Sequence, residues 1–233
     1  MTLLTAAQSA AIRIQSKKIA SVYSSQTTFA MELADLANQV AQDIMEHYDW
    51  RLLTRLCEFT GDGTQEAFDL PVDYERMLVK GGVFRPDWYS WQYRPCPDLD
   101  TWRMLKNGAP TLNPGFWIML EGKMQFYPAI DQDQKAQFYY ISKNIVVSAD
   151  GTNKPEFTTD SDSLRLPEEL LTLGLVWRWM ARKKLEYAQD KADFDERIEQ
   201  IAGREKGSRI LAVGKDMAMA RWNIPGPFGA RTW

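Results

Sequence analysis

Residues 165–203, RLPEELLTLGLVWRWMARKKLEYAQDKADFDERIEQIAG, decide how the rest of the chain is read. Pro167 suits the first helical position, where its missing N–H is not needed, and Glu168 and Glu169 sit at the positive end of the helix dipole. Leu170, Gly174, Trp177, Ala181 and Leu185 then recur at three- and four-residue spacing, which places them on one helical face. Leu171, Leu173, Val176, Trp179 and Met180 widen that face until the first three turns are apolar almost all round. Such a helix is buried, by its own domain or by a neighbouring subunit. After Lys183 and Lys184 the pattern turns amphipathic, with Phe194, Ile198 and Ile201 among charges, and Gly203 reads as the residue just past the end. The stretch predicts two helices, or one bent helix, followed by a separate tail.

Working outward, the N-terminal part should pair with these helices. Ala7, Ala11, Ile14 and Lys18 share a weak helical face within Thr5–Val22, and Ser24–Thr28 is a polar break able to cap a helix. Phe29, Leu33, Leu36, Val40 and Ile44 then hold a helical period without a miss, flanked by Ala30, Ala34, Ala37 and Ala41. That alanine flank permits close approach of a second helix, most simply one from 164–203.

From Leu56 the period changes. CEFTGDGTQEAFDLP reads as strand, turn, strand around Gly61-Asp62-Gly63. Met77–Phe84 reads as one strand with a bulge at Gly81-Gly82, and Asp87–Leu105 as a Trp-rich loop or a short helix beginning after Asp98. Phe116–Leu120, Lys123–Pro128 and Ala136–Ser142 read as a meander, with Ala149–Asp162 a polar loop. Helices, then strands, then helices make the fold class α+β, a helical bundle with an inserted antiparallel β-sheet lobe and an extended C-terminal tail. The boundaries expected are 1–55 for the first helices, 56–163 for the β lobe, 164–203 for the last helices and 204–233 for the arm.

Composition narrows the function. The net charge of −3 hides an asymmetry: residues 203–233 carry six basic and two acidic side chains, leaving 22 basic against 29 acidic in the remainder. Two separated cysteines, Cys57 and Cys96, suggest reduced thiols rather than a disulfide framework or a metal knuckle. There is no leader and no apolar run of about 18 residues, so neither secretion nor a membrane span is expected. No catalytic constellation stands out. His47, the only histidine, ends an amphipathic helix beside Glu46 and Asp49 and suits a surface or dipole role. Asp131/Asp133 and Asp160/Asp162 lack the rest of a calcium loop and read as solvated turn acids. No cofactor, metal or catalytic residue is expected.

The tail carries the binding signal. Its five glycines and two prolines break a helix beyond about Lys206, yet Ile210, Leu211, Val213, Trp222, Ile224, Phe228 and Trp233 are too apolar for an idle end. It either folds back on its own domain or is an arm that becomes ordered on another subunit or partner. Buried aromatic anchors can exceed about 2 kcal/mol each, whereas exposed ion pairs give about 0–1 kcal/mol. The basic residues would steer the arm to an acidic surface.

Five stretches together, FAMELADLANQVAQDIMEHYDW (29–50), FTGDGTQEAFDLPVDYERM (59–77), GFWIMLEGKMQFYPAI (115–130), FYYISKNIV (138–146) and RLPEELLTLGLVWRWMARKKLEYAQD (165–190), resemble the head-to-tail adaptor (connector) proteins of tailed double-stranded DNA bacteriophages. The likeness covers about residues 5–210. One departure is local: the glycine expected after the basic pair is here Lys184 or Leu185. The resemblance implies a structural virion protein without an enzymatic site, assembled in the host cytoplasm and placed in the neck. It implies a ring, usually twelve-fold, that extends the DNA channel beneath the portal protein and meets a neck or tail protein below. DNA would pass without sequence-specific binding, and an acidic body would repel its phosphates. The arm would then dock on the portal through Arg209, Arg221, Trp222, Ile224, Phe228, Arg231 and Trp233. A neck stopper or tail-completion protein is the nearer alternative, and a small soluble hydrolase using loop carboxylates the one from a different class.

Overall fold

A computed structural model of the chain describes residues 2–86, 92–108 and 114–206. Helix α1 (Leu3–Gln15) starts two residues earlier than its periodicity suggests, because Thr2 donates its N–H to the Thr5 hydroxyl at 2.9 Å. It ends at Ser16 in a left-handed turn (φ 54°), so Lys18 lies beyond it. Helix α2 (Thr28–His47) buries Leu33, Leu36, Val40 and Ile44 as expected, and Thr27 caps it by accepting the Ala30 N–H.

Two separate helices follow near the other end, α4 (Glu168–Arg182) and α5 (Ala188–Lys206), once the short α3 (Leu99–Lys106) has been passed. Pro167 stands at the N-cap of α4, one place before the expected position. Helix α4 buries Leu170, Leu171, Thr172, Gly174, Leu175, Val176 and Trp179, and packs against α1, α2 and α5. The close approach foreseen for the alanine-flanked helix is made at Gly174: a Cβ there would lie 2.3 Å from Val40 Cγ1.

The break between α4 and α5 is a six-to-one turn with a lysine where glycine is usual. Lys184 N–H donates to Ala181 O and Leu185 N–H to Met180 O, both at 3.0 Å, while Lys184 takes φ 58°. Leu185 therefore leaves the α4 face and is half-exposed. Gly203 does not end α5. Phe194, Ile198 and Ala202 are buried against the other helices, and that packing carries the helix through the glycine to Lys206.

The strands depart more from expectation. They are β1 (Thr54–Thr60), β2 (Ala67–Asp69), β3 (Tyr74–Met77), β4 (Val83–Phe84), β5 (Gln92–Pro95), β6 (Phe116–Leu120), β7 (Lys123–Tyr127) and β8 (Lys135–Ser142). The sheet order is β1-β8-β4-β5-β6-β7-β2, with β3 also on β8. Gly61-Asp62-Gly63 thus does not close a hairpin: β1 pairs with β8 and β2 with β7, at opposite ends of the sheet. Glycine is needed at 61 for space, since a Cβ would sit 2.3 Å from Ile130 O. Met77 and Phe84 belong to different strands, Gly81 lying in the turn between them. The meander is also broken, because β7 pairs with β6 and β2 rather than β8. The sheet is mixed, not antiparallel throughout, since β5 and β6 run parallel. Only β6–β7 is the local hairpin foreseen, closed by Glu121 (φ 55°) and Gly122 (φ 73°) in the mirror-image turn that suits strand twist.

A second small sheet, β10-β9-β11, joins β9 (Val146–Val147), β10 (Asn153–Lys154) and β11 (Ser163–Leu164), so the supposed polar loop contains a strand. Buried side chains form two clusters. One gathers α1, α2, α4 and α5 with Trp50, Leu53, Ile141 and Phe157; the other gathers Phe59, Phe68, Tyr93, Met124, Phe126 and Phe138 inside the sheet. Strand β8 contributes to both, through Ile141 and Phe138. Among the described residues no helix is long and apolar enough to cross a membrane.

Candidate functional site

The residues that sequence reading puts forward for binding, Arg209, Arg221, Trp222, Ile224, Phe228, Arg231 and Trp233, lie outside the described residues, as do Trp88 and Trp91. What the structure places is the point from which the arm departs. Helix α5 reaches the start of the sheet, where Arg51 N–H donates to Glu205 Oε2 at 3.3 Å. One turn and a half earlier, Glu199 Oε1 lies 3.1 Å from His47 Nε2. His47 is the last residue of α2 and partly exposed, in keeping with a surface and dipole role.

That corner also holds a cleft of about 630 Å³, lined by Glu46, His47, Tyr48, Asp49, Arg76, Val79 and Lys80. Its Asp49 carboxylate is already engaged. Asp49 accepts from Arg76 Nη1 and from the Val79 N–H at 2.9 Å, and Arg76 also donates to Tyr48 O at 3.2 Å. The Asp49–Arg76 pair is therefore occupied in holding the α2 end to β3.

Elsewhere the polar groups do structural work. Asp160 and Asp162 are not solvated turn acids. Asp162 is fully buried: it pairs with Lys154 Nζ at 2.7 Å and accepts the N–H groups of Thr158 (2.7 Å) and Thr159 (2.8 Å). Burial alone would raise its pKa, but the Lys154 ammonium and those amides together lower it to about 2. Asp160 accepts from Ser21 Oγ (2.6 Å) and from the Val22 and Tyr23 amides, fastening the α1–α2 connection. Nothing in the composition of Asp-x-Asp distinguishes buried Asp162 and half-buried Asp160 from the exposed Asp131/Asp133; the signal lies in the Thr158–Thr159 donors that follow Phe157.

Both cysteines are free; Cys57 is buried in the sheet, and desolvation pushes its thiol up to about 11, far from thiolate chemistry. No group of three or more histidine, cysteine or acidic side chains that could hold a metal occurs among the described residues.

Helix α2 carries acids and α4 bases along their contact. Glu32 meets Lys183 (2.6 Å), Asp35 meets Arg182 (3.0 Å) and Asp43 meets Arg178. Trp179 Nε1 donates to Glu32 as well, at 3.0 Å. None of these three contacts was named from the sequence, although the four-residue spacing of Arg178 and Arg182 was there to be read.

An α+β chain with an inert buried thiol and a C-terminal sequence rich in arginine and tryptophan has the makings of an assembly component. The comparison with protein families bears on the same class: the SU10 adaptor protein family matches residues 1–222, and the chain belongs to that family. It is therefore a phage adaptor, a structural protein. No curated protein matches the chain.

Proposed function

We propose that this protein is the head-to-tail adaptor that forms a ring beneath the portal, extends the DNA channel and joins the capsid to the tail. The family match, running through the body and into the arm as far as residue 222, is the observation that carries this reading. Helices α1, α2, α4 and α5 form the bundle of each subunit, the strands between them its β lobe, and the residues after Lys206 the arm that docks on the portal. Trp222, Phe228 and Trp233 are its anchors, with Ile224 beside them, and Arg209, Arg221 and Arg231 steer it to acidic surface. Neighbouring subunits complete a twelve-fold ring, and double-stranded DNA passes through without base-specific contact. The protein resides in the virion neck and is not an enzyme.

Co-sedimentation with the cognate portal ring tests the arm. The intact chain should bind, and a variant with Trp222→Ala, Phe228→Ala and Trp233→Ala should bind at least about tenfold more weakly, the loss of one hot spot being worth that much. Equal binding by both would place the contact on the helical body instead. No binding by either would remove the portal from the reading.

A further inference from the structure

The turn between α4 and α5, Lys183–Tyr187, reads KKLEY, with no glycine and no proline in it. All five residues are exposed, and Lys184 holds a left-handed φ of 58° that a side chain disfavours. A helix accepts all five, and the two lysines, the leucine and the glutamate readily. Local preference and observed conformation disagree here, so a contact elsewhere must bend the chain back.

That contact is the packing of α5 on α4. The Trp177 and Phe194 rings lie 6.1 Å apart, and Arg197 Nη2 is 2.6 Å from Glu169 Oε2. Phe194, Ile198 and Ala202 are the buried residues of α5.

The spacing across the turn is that of one helix. Leu173, Trp177 and Met180 pack partly buried on α4, and Phe194, Ile198 and Ile201 face inward from α5. Counted through the turn, positions 173, 177, 180, 184, 187, 191, 194, 198 and 201 alternate steps of four and three without a break. This is the seam of a single helix with a heptad repeat. Tyr187 fills one middle position and Lys184 and Lys191 the other two, where their stems can lie along the seam; Lys191 Nζ is already 6.0 Å from the Trp177 ring. A helix unbroken from Glu168 to Lys206 would relieve Lys184 and carry Ile198 about 24 Å beyond Arg182.

In that state the α5 stripe has left its own chain, and the α4 stripe it covered is bare. A second copy in the same state supplies both partners. Closed and exchanged forms make the same α4–α5 contacts, so the balance between them lies in the turn and in concentration, and a short strained hinge tilts it toward exchange. We propose that α5 is exchanged between copies: the Lys183–Tyr187 turn opens, α4 and α5 become one helix, and α5 packs on α4 of the neighbouring chain. Each copy gives one helix and receives another, so the link runs head to tail. It does not depend on the portal reading.

Cross-linking between marked full-length chains tests it. One chain carries Glu169→Cys and a size tag, the other Arg197→Cys, both with Cys96→Ser; Cys57 is buried. The two positions adjoin where an α5 lies on an α4. Refolded together at rising concentration and treated with a short bismaleimide, they should give a product of one tagged and one untagged chain. Lys184→Gly in both chains should lower that product about tenfold or more at equal concentration, since glycine is unstrained in the turn and poor in the helix. A single chain with both cysteines should link within itself, more completely with Lys184→Gly, and so reports that the α4–α5 contact survives the substitutions. No product between chains at any concentration, or a product indifferent to Lys184→Gly, would overturn the proposal, as would failure of the doubly substituted chain to link at all.

Discussion

Replacing Gly174 by alanine puts the α2–α4 contact under a load that the structure lets us size. The new Cβ would stand 2.3 Å from Val40 Cγ1, 3.2 Å from Cγ2 and 3.3 Å from Cβ. Carbon atoms rest at about 3.5–4.0 Å, so the overlap exceeds what a rotation of Val40 relieves, and the two helices must part. Overpacking of this kind costs about 1–3 kcal/mol, offset by about 1 kcal/mol because alanine is the better helix former. Gly174→Ala alone should therefore be neutral to about 2 kcal/mol destabilising. Val40→Ala alone removes two buried methyl groups, about 1.6 kcal/mol of transfer energy at about 0.8 each, plus a cavity. Combined, the alanine methyl fills the space that the valine vacates, and the double variant should be more stable than the sum of the two by about 1–3 kcal/mol. Urea unfolding followed by circular dichroism, with the slope unchanged, reads all four corners of the cycle. Additivity to within about 0.5 kcal/mol would refute the contact as the reason for glycine at this position.

Two further outcomes can be checked in the same way. Asp162 has its pKa lowered from 3.8 to about 2 in the folded chain, so its contribution is present above about pH 4 and lost as pH falls toward 2. At 1.36 kcal/mol per unit this amounts to roughly 2 kcal/mol, and Asp162→Asn should both weaken the protein at pH 7 and flatten that acid limb; an unchanged limb would show that other carboxylates set it. Lys184→Gly should stabilise by about 0.5–1 kcal/mol, because the left-handed conformation at φ 58° is strained for lysine and free for glycine. A variant of unchanged or lower melting temperature would mean that the lysine side chain repays the strain.

Local periodicity made the helices legible. Leu33, Leu36, Val40 and Ile44 repeat on one face, and the apolar surround of Leu170–Val176 announces a helix enclosed by others, as α4 is by α1, α2 and α5. The turn after Arg182 was legible in place but not in kind, since the bonds from Lys184 and Leu185 back to α4 hold a lysine where the pattern leads one to want glycine. Strand existence could be read from alternation, but pairing could not. CEFT and AFD sit six residues apart and still lie at opposite ends of the sheet, because the partner that covers each, β8 or β7, is distant in sequence. Phe59 and Phe68 nevertheless stack at 4.9 Å, so the cluster of rings within the sheet brings together side chains whose backbones do not bond. The arm was visible as composition alone, a mixture of glycine, arginine and tryptophan that names a role more readily than a shape.

The sign pattern between α2 and α4 bears on how one copy of the chain would meet another. All three acids of the contact, Glu32, Asp35 and Asp43, belong to α2, while the bases Arg178 and Arg182 belong to α4 and Lys183 stands at its C-cap. Two α2 helices from different copies would confront acid with acid, and two α4 helices base with base. Each helix thus discriminates against its own duplicate, so crowding many identical chains together does not reward like surfaces for finding one another.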